Sequence, residues 1–166
     1  MTDATTCIDK SRSLDIKPEV SYRVPAAGVM AEVRTSFARG LDYKRKALSA
    51  TRGSFDAAFK VDPIFAIKHH AEALARATAT AQAWEAAWGV FEAAEGDNPM
   101  DGWVAVAAHA RALIERSLAW ASSHHYPSNP IRNHLGHQTC AAQATAARDI
   151  RDMAAWSTLK YDASVD

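Results

Sequence analysis

The 166 residues predict an all-α fold, an antiparallel up-down-up-down four-helix bundle preceded by a flexible N-terminal tail. Three observations carry that expectation. From residue 25 almost to the end, apolar residues return at helical rather than strand spacing. Proline-bearing breaks at Asp62-Pro63, Asn98-Pro99 and Asn129-Pro130 divide this run into four pieces. The connections between pieces are short, and short connections force consecutive helices to lie antiparallel.

Residues 1–24 are polar, mixed in charge and without a period, and Pro18 and Pro25 interrupt any helix there. They read as a tail, leaving one domain over 25–162. In the first helix Met30, Val33, Phe37, Leu41, Leu48, Phe55 and Phe59 form an apolar face. Gly40 and Gly53 each weaken it by about 1 kcal/mol relative to alanine, and a kink or break is expected near Gly53. Asp62-Pro63 restarts the chain, with Asp62 as cap and Pro63 at the first helical position, where a missing N–H costs nothing.

The second helix, to about Glu95, has Ile67, Ala71, Leu74, Ala81, Trp84, Trp88 and Phe91 as its buried stripe. Lys68, Glu72 and Arg76 form an exposed i, i+4 ladder. The third helix starts near Asp101 and turns Trp103, Val106, Ala110, Leu113, Ser117 and Trp120 inward. The stretch from Tyr126 to Pro130 is a turn, because a residue before proline avoids helical geometry. The fourth helix runs from Ile131 to about Tyr161. The five tryptophans lie on helical stripes and read as core.

Composition narrows the function. No apolar run approaches the roughly 18 residues of a membrane helix, and the N-terminus lacks a basic-then-apolar leader. A soluble, cytoplasmic protein with no membrane partner is expected. Cys7 and Cys140 are far apart and no CxxC pair occurs, which argues against a disulfide framework or a thiolate zinc site. Zero formal net charge argues against non-specific coating of nucleic acid.

Antiparallel order brings the ends of helices one and three and the starts of helices two and four to one pole. Six of the seven histidines lie in those segments: His69, His70, His124, His125, His134 and His137. Residues 42–80 carry seven Lys/Arg against four Asp/Glu, and residues 116–148 carry three Arg and no acid. Glu85, Glu92, Glu95, Asp97 and Asp101 gather toward the opposite pole. The basic pole could hold phosphate, and the free N–H groups expected at the start of the fourth helix would favour an anion there.

At that helix start stands Ile131-Arg132-Asn133-His134-Leu135-Gly136-His137. The arginine, the polar residue after it and the histidine five places on resemble the Rx4–6H motif of HEPN-superfamily ribonucleases. In that family the residue after the arginine is commonly Asn, His or Asp, and the motif stands near the start of a late helix in an α-helical bundle. The resemblance covers the motif and the fold class rather than the whole chain. Thr139 departs from the aromatic that many members carry two residues after the histidine.

The resemblance implies a metal-independent endoribonuclease of toxin or defence type, with RNA as substrate and no cofactor. His137 would transfer protons, Arg132 stabilise phosphate, and Asn133 orient the histidine or the substrate. Two copies would pair their motifs across a composite cleft, making a homodimer. The residue types suit the chemistry. Imidazole titrates near neutral pH, and guanidinium donors match two phosphate oxygens at once. Lys60, Lys68 and His134 read as further RNA-binding groups at the same pole. Arg132 and His137 are about 140° apart on an ideal helix, so Arg132 would have to reach round from the helix entrance.

Two other readings compete. His134 and His137, at i, i+3, could ligate a metal together with His69 or His70 and His124 or His125, assisted by Asp56 or Cys140. The Glu-x-x-His motifs of di-iron bundles are absent, however. Alternatively the chain is a non-catalytic helical interaction protein of immunity, antitoxin-like or phage-inhibitor type, meeting a protein partner through its acidic pole and tail. Cys140, one turn from His137, raises a thiol nucleophile, but a cysteine on an alanine-rich helix is more often a small core residue.

Overall fold

The structure is a computed structural model that describes residues 27–94, 96, 99–123 and 129–162, with side chains placed over 31–94, 96, 100–123 and 129–155. The expected tail over 1–24, together with His124, His125, Glu95 and Asp97, lies outside the described residues. Among the described residues the fold is four helices without strands: α1 (Ala27–Val61), α2 (Pro63–Ala94), α3 (Pro99–Ser123) and α4 (Pro130–Asp162). No helix is long and apolar enough to cross a membrane.

Local chemistry sets the boundaries. Prolines open α2, α3 and α4 at their first positions. Asp62 alone separates α1 from α2. Its N–H still donates to the Ala58 carbonyl at 2.8 Å, and its Oδ1 accepts from the N–H groups of Ile64 and Phe65, each at 3.0 Å. One residue therefore ends one helix and caps the next. The break expected at Gly53 does not occur, and α1 continues through it as one 35-residue helix. A single exposed glycine costs a helix far less than the fixed turns on either side supply.

The helices pack as an antiparallel bundle with α2 in contact with each of the others, while α1 has only slight contact with α3 and α4. The large side chains collect at one end. Phe37 of α1 sits among Trp84, Trp88, Phe91 and Trp103, at centroid distances of 5.3, 5.3, 6.4 and 5.7 Å. Val106, Ile150 and Ala154 complete that core. Glycines let the helices close: a Cβ on Gly40 would lie 2.7 Å from the Trp84 ring, and one on Gly102 would lie 2.9 Å from Phe91.

The other end is less well covered. Ile67 and Phe59, both expected in buried stripes, are exposed, and Trp88 and Trp120 are only half-buried. The reason is geometric. α1 packs chiefly on α2 and only slightly on α3 and α4, so the apolar stripe that carries Phe59 finds one main partner helix rather than two.

Candidate functional site

The histidine-rich pole is assembled by the α1–α2 corner, the end of α3 and the first turns of α4. Asn129 fixes the start of α4. Its side-chain Oδ1 accepts from the Arg132 N–H at 2.9 Å, and its carbonyl accepts from the Asn133 N–H at 3.1 Å. Pro130 has no N–H to offer. The open set of donors expected at this terminus is thus largely consumed by the cap, which leaves side chains rather than backbone to bind an anion.

The motif residues then diverge around the helix. Arg132 and His137 are exposed and Asn133 is half-buried. His137 rests against Trp120 of α3, centroids 6.1 Å apart and planes at 74°. Trp120 also lies directly over Gly136, where any Cβ would collide with the indole. The glycine inside the motif is therefore a packing device that lets the α3 tryptophan approach α4. Its signal was present in the sequence: Trp120 and Gly136 stand at similar distances on either side of the α3–α4 turn.

His134 faces the other way, toward α2. Its Nε2 lies 2.8 Å from Oε2 of Glu72. The hydrogen bond from His134, then the charges of His134 and Arg76, hold the Glu72 carboxyl below its ordinary value. Glu72 also lies 3.7 Å from Arg76, so two members of the expected ladder do pair. Lys68 has no partner among the described residues; it lines an α2–α4 groove of about 480 Å³ with Ile64, Ile67, Glu72, Ile131 and His134. Lys60 is exposed in the last turn of α1. Sequence reasoning missed Glu72 as a partner of His134, because that pair depends on the register between α2 and α4.

The histidines of the described residues point to different neighbours. His134 engages α2 and His137 engages α3, and His69 and His70 pack near Phe65 at 4.4 and 5.9 Å. Among the described residues no three His, Cys, Asp or Glu side chains come together as a ligand set. Cys140 is buried, and burial pushes its thiol up, away from the reactive thiolate.

A second groove, of about 420 Å³, runs between α3 and α4. Trp120, Gly136, Ser117, Gln143 and Arg116 line it. Its Trp120 wall is the same ring that touches His137. Large apolar side chains surround the pole: Val61 is 87% exposed, Ile64 79% and Ile131 63%.

No protein-family model, no curated protein and no solved structure matches this chain.

Proposed function

We propose that this chain is a metal-independent endoribonuclease of the HEPN-like type, acting at its histidine-rich pole. The observation that supports this reading is the state of the two motif side chains. His137 stands exposed against Trp120 instead of inside the core, and Arg132 is exposed one turn nearer the helix entrance. Both side chains border solvent.

In this mechanism the His137 imidazole takes the proton of a ribose 2′-hydroxyl. The freed oxygen attacks the adjacent phosphorus, the P–O5′ bond breaks, and the departing oxygen takes up a proton. The products are a 2′,3′-cyclic phosphate and a 5′-hydroxyl end. Arg132 neutralises the charge that builds on the phosphate oxygens. Asn133 orients the histidine or the substrate, and Lys60 and Lys68 attract the flanking backbone. His134, already bonded to Glu72, braces α4 against α2. Two copies would meet at this pole, with Val61, Ile64 and Ile131 among the side chains they cover.

The exposed apolar residues also favour a second reading, a helical interaction protein that binds another protein at the same pole. One experiment separates the two. Wild type, His137→Ala and Arg132→Ala are incubated with total RNA in EDTA. Cleavage by wild type, reduced at least a hundredfold in both variants, supports the nuclease. Equal inertness of all three proteins rejects it and leaves the interaction protein.

A further inference from the structure

We infer that the α3–α4 groove is a nucleobase site, holding one unpaired base of a bound RNA beside Trp120, with its edge toward Ser117 and Gln143. The choice of RNA rests on the nuclease reading above. The shape and chemistry of the groove are independent of it.

Four observations converge. The first is the aromatic wall. Unpaired bases are held largely by stacking on aromatic side chains, and Trp120 is half-buried in the groove wall with its far edge on Gly136. The second is a loosely satisfied polar floor. Ser117 is only 4% exposed, yet among the described residues the one hydrogen bond its hydroxyl makes is a long 3.5 Å donation to Gln143 Oε1. The Gln143 amide nitrogen has no partner among the described residues. A buried hydroxyl beside a half-used carboxamide is a donor and acceptor pair waiting for a complementary edge.

The third is charge. Arg116 lines the groove, its Nε donates to its own helix at Ala112 at 3.3 Å, and it has no carboxylate partner among the described residues. No acid occurs anywhere in 116–148. Among the described residues Arg116 is the one charged side chain that lines the groove, and it favours a ligand that carries phosphate. The fourth is continuity with the motif. Arg132, Gly136, Thr139 and Gln143 fall at i, i+4, i+7 and i+11, a single face of α4. Arg132 stands at the pole end of the face that lines the groove, and His137 reaches the same place through Trp120. A nucleotide whose base lies in the groove would present its phosphate toward Arg132 and its ribose toward His137. That arrangement lets two residues 140° apart act on one linkage. A glutamine carboxamide pairs most readily with the donor and acceptor edge of adenine, so adenine is the expected base.

The test uses the full-length chain in two arms. In the first, each of the four nucleoside 3′-monophosphates is titrated into isotope-labelled protein, reading the Trp120 indole and Gln143 carboxamide signals. A saturable shift is expected, tightest for adenosine 3′-monophosphate and weakened about tenfold by Gln143→Leu, Trp120→Phe or Arg116→Gln. The amide spectrum of each variant checks that it folds. In the second, the ends of cleaved RNA are sequenced. Adenine is expected at a fixed position beside the cut, and Gln143→Leu removes the preference. No shift with any nucleotide, or shifts indifferent to all three substitutions, overturns the base site even where RNA is cut. Nucleotide binding without RNA cleavage keeps the base site and rejects the nuclease. Cleavage with no base preference and no binding does the reverse.

Discussion

Gly40 and Gly53 lie on the same helix and act in opposite directions. The Cβ of an alanine at 40 would press on Trp84, which is buried among Phe37 and its neighbours and has nowhere to swing. Gly40→Ala is expected to lower stability by about 1–3 kcal/mol, the usual cost of overpacking. At Gly53 nothing lies within 4 Å of the added carbon and the position is exposed. Gly53→Ala is expected to raise stability by about 0.5–1 kcal/mol. Thermal melts of the two variants beside wild type check both signs. A second prediction concerns His109, whose Nε2 is buried without a partner. Burial first, and then the charge of Arg116, hold this histidine below its ordinary value near 6.5. The folded state therefore resists a proton that the unfolded chain accepts. That penalty is absent well above pH 6.5 and grows as pH falls below the unfolded value. His109→Gln should flatten the loss of stability between about pH 6.5 and 5, measured by denaturant titration at each pH. A variant with the same pH slope as wild type would remove His109 as its source.

The elements differ in how firmly they are held, and that difference explains what the sequence made legible. Helix boundaries could be read because they are local events. Asp62 and Asn129 cap the residues that directly follow them, and proline marks each start. Burial of Phe37, Trp84 and Trp103 could be read because they are large and fall on helical stripes. Ile67 and Phe59 satisfy the same period, but periodicity names a face without saying whether a neighbour covers it. Pairs such as Glu72 with His134, or Trp120 with Gly136, need the register between helices, which no single helix encodes. The uneven support of α1 gives a third prediction. Among the described residues, the largest fully buried α1 side chain is Phe37, and it touches four aromatic rings. Phe37→Ala should cost about 3–5 kcal/mol. Because α1 packs chiefly on α2, the loss should appear first as release of α1. Hydrogen exchange is expected to accelerate across α1 while α3 and the second half of α4 keep most of their protection. Uniform acceleration of all four helices would show that α1 is not a separable unit.

At the scale of the whole molecule, the bundle is asymmetric in substance as well as charge. One end holds the aromatic core; the other joins a basic surface to apolar side chains that are exposed among the described residues. Val61, Ile64 and Ile131 come from three different elements and are each more than half exposed. Scattered exposed apolar residues are ordinary, but Ile64 and Ile131 line one groove, the kind of apolar surface that the proposed pairing would use. The pairing of two copies proposed above would bury it and would set two Arg132/His137 sites near one another. Charge would oppose that pairing, since both faces are basic, so apolar contact must supply the attraction and salt should strengthen the association by screening the repulsion. Sedimentation at rising protein concentration is expected to show a dimer that is tighter at 0.5 M than at 0.05 M salt. Ile64→Lys combined with Ile131→Glu should leave helicity unchanged and return the protein to monomer, because both positions are exposed in the single copy and neither contributes to the core. A dimer that weakens with salt would place the contact between opposite charges, basic pole against acidic pole, and a chain that stays monomeric throughout would leave the apolar pole to a different protein.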